Sequence, residues 1–192
     1  IREVHGYAKQ GAAYGYSGVK GLNAQIAVLS SPTCAPVIAG SRLRKGSTIS
    51  GRGAARLIGD AVATSRAAGA TGQVMVRADS GYYRRDVIAA TIKAKAWFSV
   101  TARMNPAVTR LNKAAAAQGQ GELFDTWRHH AFITNSTLPV VDADETHRDH
   151  AIIEQVIAEL KNGPLAHAPS GYFAANSAWP APGCTAVHLM RA

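Results

Sequence analysis

The stretch TGQVMVRADSGYYRRDVIAATIKAKAWFSVTARM, residues 71–104, decides the fold class. Its first part, 73–78, is a short apolar run that ends in Asp79, and such a run is typical of a buried strand. Residues 84–96 carry apolar side chains at helical spacing, and 97–104 read as a second strand. A strand, a helix and a strand in succession favour an α/β fold.

The segments before this stretch add further strands and a helix. Residues 1–40 are expected to be mainly β structure, because GLNAQIAVLSS and APVIAGSRL run apolar or alternate between Gly, Pro and Ser boundaries. Residues 50–69 predict a helix whose end is marked by Gly69. Its apolar side is formed by Ala55, Leu57, Ile58, Ala61 and Val62.

The segments after it are less regular. Residues 105–126 are rich in Ala, Gly and Gln and predict a loop or linker, whereas 126–136 predict one more strand. A helix is expected from about Glu145 to Lys161, ended by the Asn-Gly-Pro sequence at 162–164. In the tail, Pro180, Pro182 and Gly183 are expected to break a helix. The whole order predicts a single α/β domain with a sheet of mixed direction.

Composition limits the class of protein. With 192 residues, 47% of them hydrophobic and 17% charged, the chain is globular and long enough for one core. We expect neither a membrane span nor a signal peptide, and the two distant cysteines, Cys34 and Cys184, favour a reducing cytoplasm. The formal charge of +9 is compatible with a polyanionic partner such as nucleic acid and equally with a basic protein that has none.

Asp79 is the first candidate for chemistry. It ends an apolar strand, and the carboxyl ends of strands are where open α/β sheets place ligands and catalytic groups. The alternative is that Asp79 caps the next turn or helix, and the local sequence alone favours this structural role.

The stretch HRDHAIIEQVIAELKNG, residues 147–163, is the second candidate. At about 100° per residue, His147, His150, Glu154 and Lys161 share one narrow face of the expected helix, within about 60° of each other. An ordinary solvated face is the alternative, and the histidine spacing is not a specific zinc signature. The opposite face carries the apolar residues Ile152, Ile153, Val156, Ile157 and Leu160.

The same stretch carries a family resemblance. Its spacing resembles the Tyr–Arg–Glu–Lys signature of bacterial insertion-sequence DDE transposases, and HRDHAIIEQVIAELKNGPLAHAPSG resembles one branch, the insertion sequences numbered thirteen-eighty. The segments EVHGYAKQGAAYGYSGVKGLN, VRADSGYY, FSVTARMNPAV and GQGELFDTWRHHAFITNS resemble the same branch in the same order.

The resemblance implies an RNase H-like catalytic domain that cuts and joins DNA. Such enzymes use three carboxylates to hold two Mg²⁺ ions, for which Mn²⁺ can substitute, and hard oxygen ligands suit these metals. When the roles of the family signature are transferred to this chain, Asp79 is the second acid, Glu154 is the third, and Lys161 contacts DNA phosphate. His147 and His150 stand where the signature has Tyr and Arg, so both are expected on the DNA side. The implied partners are double-stranded terminal repeats, target DNA and a second copy of the chain, in a bacterial cytoplasm at the nucleoid.

Three departures from the family pattern lower the expectation of activity. The first acid is expected just before Ile1, the insertion at about 105–140 is shortened, and prolines interrupt the tail. We therefore expect that this chain does not cut DNA by itself. The alternatives are a non-catalytic domain that binds DNA, or that dimerises with intact transposase and inhibits it, and a different RNase H-like nuclease such as a resolvase.

A basic cluster is the last candidate. The cluster near residues 42–56 indicates phosphate binding, and a solvated basic loop is the alternative. Tyr82 and Tyr83, which follow Asp79, are expected to pack beneath the site rather than to touch DNA. The cluster surrounds a Gly- and Ser-rich turn and consists of Arg42, Arg44, Lys45, Arg52 and Arg56.

Overall fold

A computed structural model describes residues 2–4, 9–119, 130–149 and 151–191. Strands dominate the first quarter of the chain, and helices dominate the rest. The strands are β1 (Arg2–Glu3), β2 (Ala13–Tyr14), β3 (Lys20–Ser31), β4 (Cys34–Lys45), β5 (Met75–Ala78), β6 (Trp97–Thr101) and β7 (Phe132–Thr134). The helices are α1 (Ala54–Ala67), α2 (Arg85–Lys93), α3 (Pro106–Gly119), α4 (Val140–Arg148), α5 (Ala151–Asn162), α6 (Phe173–Ala178) and α7 (Pro180–Arg191).

The first sheet is built around a long antiparallel hairpin. β3 and β4 pair from Leu22 opposite Lys45 to Ser31 opposite Cys34, and the two residues between Ser31 and Cys34 form the turn. β1 pairs with Gly21 and Leu22 on the edge of β3 opposite β4, whereas β2 pairs with Lys20 and Gly21 on the same edge as β4. Among the described strands, the edge of β3 that β1 joins is therefore unpaired beyond Leu22.

The second sheet is mixed. β5 runs parallel to β6, with Val76 opposite Phe98, and β7 runs antiparallel to β6, with Ile133 opposite Val100. In the order β5-β6-β7, the outer edge of β5 has no partner within the described ranges. The predicted α/β class with a mixed sheet is confirmed, but the strands form two sheets where one was expected.

Helices cover both faces of the hairpin. α1 contacts β3 and β4 on one face, where the Leu57 side chain lies against Gly40. α5 and α7 cover the other face and pack Val156 and Leu160 against Ile38. Full burial of aliphatic side chains of this size stabilises a fold by about 1.5–3 kcal/mol each, so this face anchors α5.

The central predictions from local pattern are confirmed. The strand predicted at 73–78, the helix at 84–96 and the strand at 97–104 correspond to β5, α2 and β6. The helix predicted at 50–69 is α1, and Gly69 follows it with a φ of 97°, which a glycine adopts without a Cβ penalty. These elements were predictable because each carries its own periodicity and its own stop signal.

The single helix expected from Glu145 to Lys161 is a wrong prediction. α4 ends at Arg148 and Asp149 forms a turn, so residue counting from α4 into α5 does not describe one helix face. His147 therefore belongs to α4, whereas Glu154 and Lys161 belong to α5. The predicted stop is confirmed, because α5 ends at Asn162.

The loop expected at 105–126 is also wrong where the structure describes it. α3 occupies Pro106–Gly119, and residues 120–129 lie outside the described ranges. The Asn105 side chain accepts hydrogen bonds from the backbone N–H groups of Ala107, at 2.9 Å, and Val108, at 3.0 Å. An Asn cap followed by Pro at the first helical position is a recognised helix start, and the alanines after it favour the helix.

The tail prolines do not break the last helix. Pro180 and Pro182 occupy its first turn, where the missing N–H groups would have no intrahelical partner. Gly183 is required for a different reason, because a Cβ there would lie 2.9 Å from the Pro164 Cβ. Residues 126–129 of the strand predicted at 126–136 lie outside the described ranges, and the strand in the remainder is β7. In the described part of the chain, no helix is long and apolar enough to cross a membrane.

Candidate functional site

Asp79 lies directly after β5 and is exposed, as the sequence predicts for a strand-end carboxylate. One carboxylate oxygen, Oδ1, accepts a 2.8 Å hydrogen bond from the Gly81 backbone N–H and caps the 3₁₀ turn Ser80–Tyr82. The structural role considered for Asp79 is therefore confirmed. The second oxygen of the carboxylate is left for other ligands.

Tyr82, the last residue of this turn, is partly buried, as expected, whereas Tyr83 is exposed, so the expectation that Tyr83 packs beneath the site is corrected. Burial raises the pKa of the Tyr82 phenol, the negative charge of Asp79 raises it further, and the Arg44 guanidinium opposes both effects. The phenol therefore lies close to both charged groups. Its hydroxyl stays protonated at neutral pH, so Tyr82 can donate a hydrogen bond there.

The raised pKa of Tyr82 makes a testable link between pH and stability. Below the pKa of an unfolded tyrosine, about 10, protonated Tyr82 makes its full contribution to the free energy of unfolding. This contribution is lost as pH rises through the higher pKa of the folded state. We expect the urea midpoint of the native chain to fall more steeply above about pH 10 than that of Tyr82→Phe. Equal slopes in parallel urea titrations of the two proteins would contradict this expectation.

Glu154 and Lys161 lie on α5, near its two ends. Glu154 is in the first turn and is exposed, so its carboxylate is available to solvent ligands. Lys161 is in the last turn, is exposed, and also lines a cavity against the β3–β4 hairpin. His150, which was expected beside them, lies outside the described residues.

Arg77, to which the sequence motifs assign no role, holds the end of α4 in place. Its Nη1 donates to the Thr146 carbonyl at 2.9 Å, and its Nη2 lies 3.5 Å from the Ser30 hydroxyl. Asp149 adds an ion pair at 3.9 Å. The arginine thus ties β5 to β3 and to the end of α4. A charged residue inside the apolar run VMVRA was the signal for such a role.

His147 lies in the core rather than on a solvated face, with 7% of its surface exposed. Its Nδ1 is 2.7 Å from the Ser99 hydroxyl, and its Nε2 is 3.2 Å from the Thr101 hydroxyl. The ring also stacks on Phe132, with centroids 4.3 Å apart. The expected placement of His147 on the DNA side is therefore corrected, because both ring nitrogens already face hydroxyls of β6.

Arg44 is the buried member of the basic cluster, with 8% of its surface exposed. Its Nη1 donates to the carbonyls of Ile49, Ser50 and Arg52 at 2.9–3.1 Å, and its Nη2 donates to Asn23 Oδ1 at 2.9 Å. Burial lowers the pKa of the guanidinium. The expected contact of Arg44 with phosphate is corrected to a structural role, because these bonds hold the turn before α1.

The other basic residues of the cluster differ in how free their charges are. Asp60 lies 3.5 Å from an Arg42 nitrogen and 3.7 Å from an Arg56 nitrogen, so one carboxylate offsets part of both charges. Lys45 and Arg52 are exposed, and no ion pair engages either of them among the described residues. These two side chains are the ones best able to reach a phosphate.

Asp79 and Glu154 offer two exposed carboxylates, but two divalent ions of the implied kind need three. Across the described ranges, no group of three or more His, Cys, Asp or Glu side chains is placed to hold a metal ion. The described residues therefore do not fit a complete two-metal centre, and we derive no catalytic step through one. Comparison of the chain with models of protein families, with curated proteins and with solved structures finds no match.

Proposed function

We propose that this chain has the RNase H-like catalytic-domain fold of an insertion-sequence DDE transposase and that, alone, it binds DNA without cutting it. The observation that carries the first half is the position of two exposed carboxylates on an α/β fold. Asp79 follows the parallel strand β5, and Glu154 begins the helix α5, in the order that the sequence resemblance implies. In metal-dependent phosphoryl transfer, carboxylates from distant sequence positions hold the divalent ions.

The unpaired strand edges support the same fold proposal. The edge of β3 opposite β4 has no partner beyond Leu22, and β5 has none on its outer side, within the described part of the chain. Arg77 spans from β5 to Ser30 of β3, so these two edges lie within one side-chain length of each other. One further strand between them would join the two sheets into one. In the proposed fold that strand carries the first acid.

The second half of the proposal rests on the metal site and on charge. The resemblance assigns two of the described acids, Asp79 and Glu154, to the site, and the described residues form no metal-holding group of three, so the proposed Mg²⁺ centre lacks a ligand. The net charge of +9 and the exposed Lys45 and Arg52 favour attraction to a phosphate backbone. Binding of this kind positions a protein on DNA without reading its sequence.

The proposal predicts salt-dependent DNA binding without cleavage. With Lys45, Arg52 and one further cation on phosphates, log affinity for a random duplex should fall against log salt with a slope of about −3. Fluorescence anisotropy measures the slope, and an end-labelled duplex with Mg²⁺ or Mn²⁺ measures cleavage. We expect binding with no cut product.

Matched variants separate local contacts from total charge. Lys45→Ala with Arg52→Ala should reduce the slope by about 2, whereas Lys93→Ala with Lys113→Ala removes the same charge elsewhere and should change it less. If the native chain cuts DNA and Asp79→Asn does not, the proposal that the chain is inactive alone is overturned, whereas the proposed transposase fold is supported. A slope near zero would overturn DNA binding.

A further inference from the structure

An apolar cavity of about 210 Å³ lies between the β3–β4 hairpin and the helices α5 to α7. Leu22, Ala24 and Leu43 form its floor on the sheet, and Leu160 and Trp179 form its roof. Leu22 and Leu160 are almost fully buried, so the cavity reaches into the core rather than resting on the surface.

The polar groups in the cavity wall already have partners. Asn176 donates to the Ser170 carbonyl at 2.7 Å, and its Oδ1 accepts from the Ser170 N–H at 2.9 Å. Trp179 Nε1 donates to the Pro164 carbonyl at 2.7 Å. Because these bonds engage the polar groups of the interior and the rest of its lining is mainly aliphatic, the interior favours an apolar occupant.

The rim of the cavity is positively charged. Lys161 lines it from the last turn of α5 and makes no ion pair among the described residues. His167 lines it from the segment after α5, and both side chains are exposed. An ammonium beside an apolar cavity favours a ligand with a negative head and an apolar body.

We propose that this cavity binds a small monocarboxylate with an aliphatic or aromatic body, whose carboxylate meets Lys161. Size supports this class, because a cavity of about 150 Å³ lined by aliphatic side chains holds benzene. The volume of 210 Å³ therefore accommodates a body of about six to eight carbons. The proposal concerns ligand binding to the free chain and does not depend on DNA.

The test uses octanoate and 1-octanol, which share an apolar body and differ in the charged head. Isothermal titration calorimetry on the full chain measures both affinities. Both should bind, and octanoate should bind about five-fold more tightly because a partly exposed ion pair contributes up to about 1 kcal/mol. Lys161→Met should abolish that preference and keep octanol binding.

A cavity-filling variant locates the site. Ala24→Leu should remove binding of both ligands, and Leu43→Phe provides a second filled variant if Ala24→Leu fails to fold by circular dichroism. Absence of any binding to the native chain would overturn the proposal. Binding that either folded variant leaves unchanged, or an octanoate preference that survives Lys161→Met, would overturn it as well.

Discussion

Replacing Arg44 with Met is expected to lower the free energy of unfolding by about 3 kcal/mol. Methionine keeps the aliphatic stem but removes the guanidinium bonds to the carbonyls of Ile49, Ser50 and Arg52. The Ile49 carbonyl keeps the Arg52 N–H and the Ser50 carbonyl keeps the Gln25 amide, so the Arg52 carbonyl loses most. Hydrogen bonds to a charged group contribute about 1.5–3 kcal/mol each. The Arg44 Nε is buried with no partner among the described atoms, which offsets part of that gain. Urea denaturation measures the loss as a lower midpoint at unchanged slope.

Lys45 is the matched control, because it is the next residue and is exposed. Lys45→Met should change stability by no more than about 0.5 kcal/mol and should reduce the salt slope of DNA binding by about 1. Arg44→Met should leave the salt dependence of DNA binding unchanged when binding is measured on the folded protein. If Arg44→Met instead weakens DNA binding without lowering the urea midpoint, the structural role assigned to Arg44 is wrong.

Arg44 and Lys45 together show how much of a basic cluster can be predicted from sequence. The sequence locates five cations around one turn, and four of them are at least partly exposed, as a phosphate surface requires. It does not separate Arg44 from Lys45, because the difference is set by strand alternation. Successive side chains point to opposite faces, and of these two residues Arg44 is the one that faces the turn before α1. Nor does it pair Asp60 with Arg42, since they lie in different elements.

The elements around Asp79 were predictable because their signals are local. Apolar runs, helical spacing and a terminal glycine each lie within the segment that they describe, so β5, α2 and α1 follow from them. The capping of the turn by Asp79 is likewise local. The residues around the site that the sequence did not reveal are positioned by contacts between segments that are far apart in the chain. Arg77 reaches Ser30 and Thr146, which are far from it in sequence, and no spacing rule relates them.

The break between α4 and α5 shows how a periodic pattern can mislead. The offsets of His147, Glu154 and Lys161 fit one helical face only if the helix is continuous through residues 149 and 150. In the structure, His147 turns inward because Ser99 and Thr101 on β6 provide hydroxyl partners for its ring. Those partners lie more than forty residues away, so neither a solvated face nor a DNA-facing wall describes this histidine.

Replacing His147 with Ala is therefore expected to destabilise the fold by about 3 kcal/mol. The variant loses the stacking contact with Phe132, which contributes about 0.5–1.5 kcal/mol beyond area, and opens a cavity. It also leaves the Ser99 hydroxyl, which is 1% exposed, without its imidazole partner, and an unsatisfied buried group costs about 1–3 kcal/mol. Urea unfolding at neutral pH measures the change.

Two comparisons decide whether that loss comes from the buried hydrogen bonds. His130→Ala removes an exposed histidine and should change stability by no more than about 0.5 kcal/mol. Adding Ser99→Ala to His147→Ala should cost less than the two single changes together, because both partners of one bond are then absent. A strictly additive double variant, or a His147→Ala protein as stable as the native chain, would contradict the core role of His147. A loss of DNA affinity in that stable variant would return His147 to the DNA side.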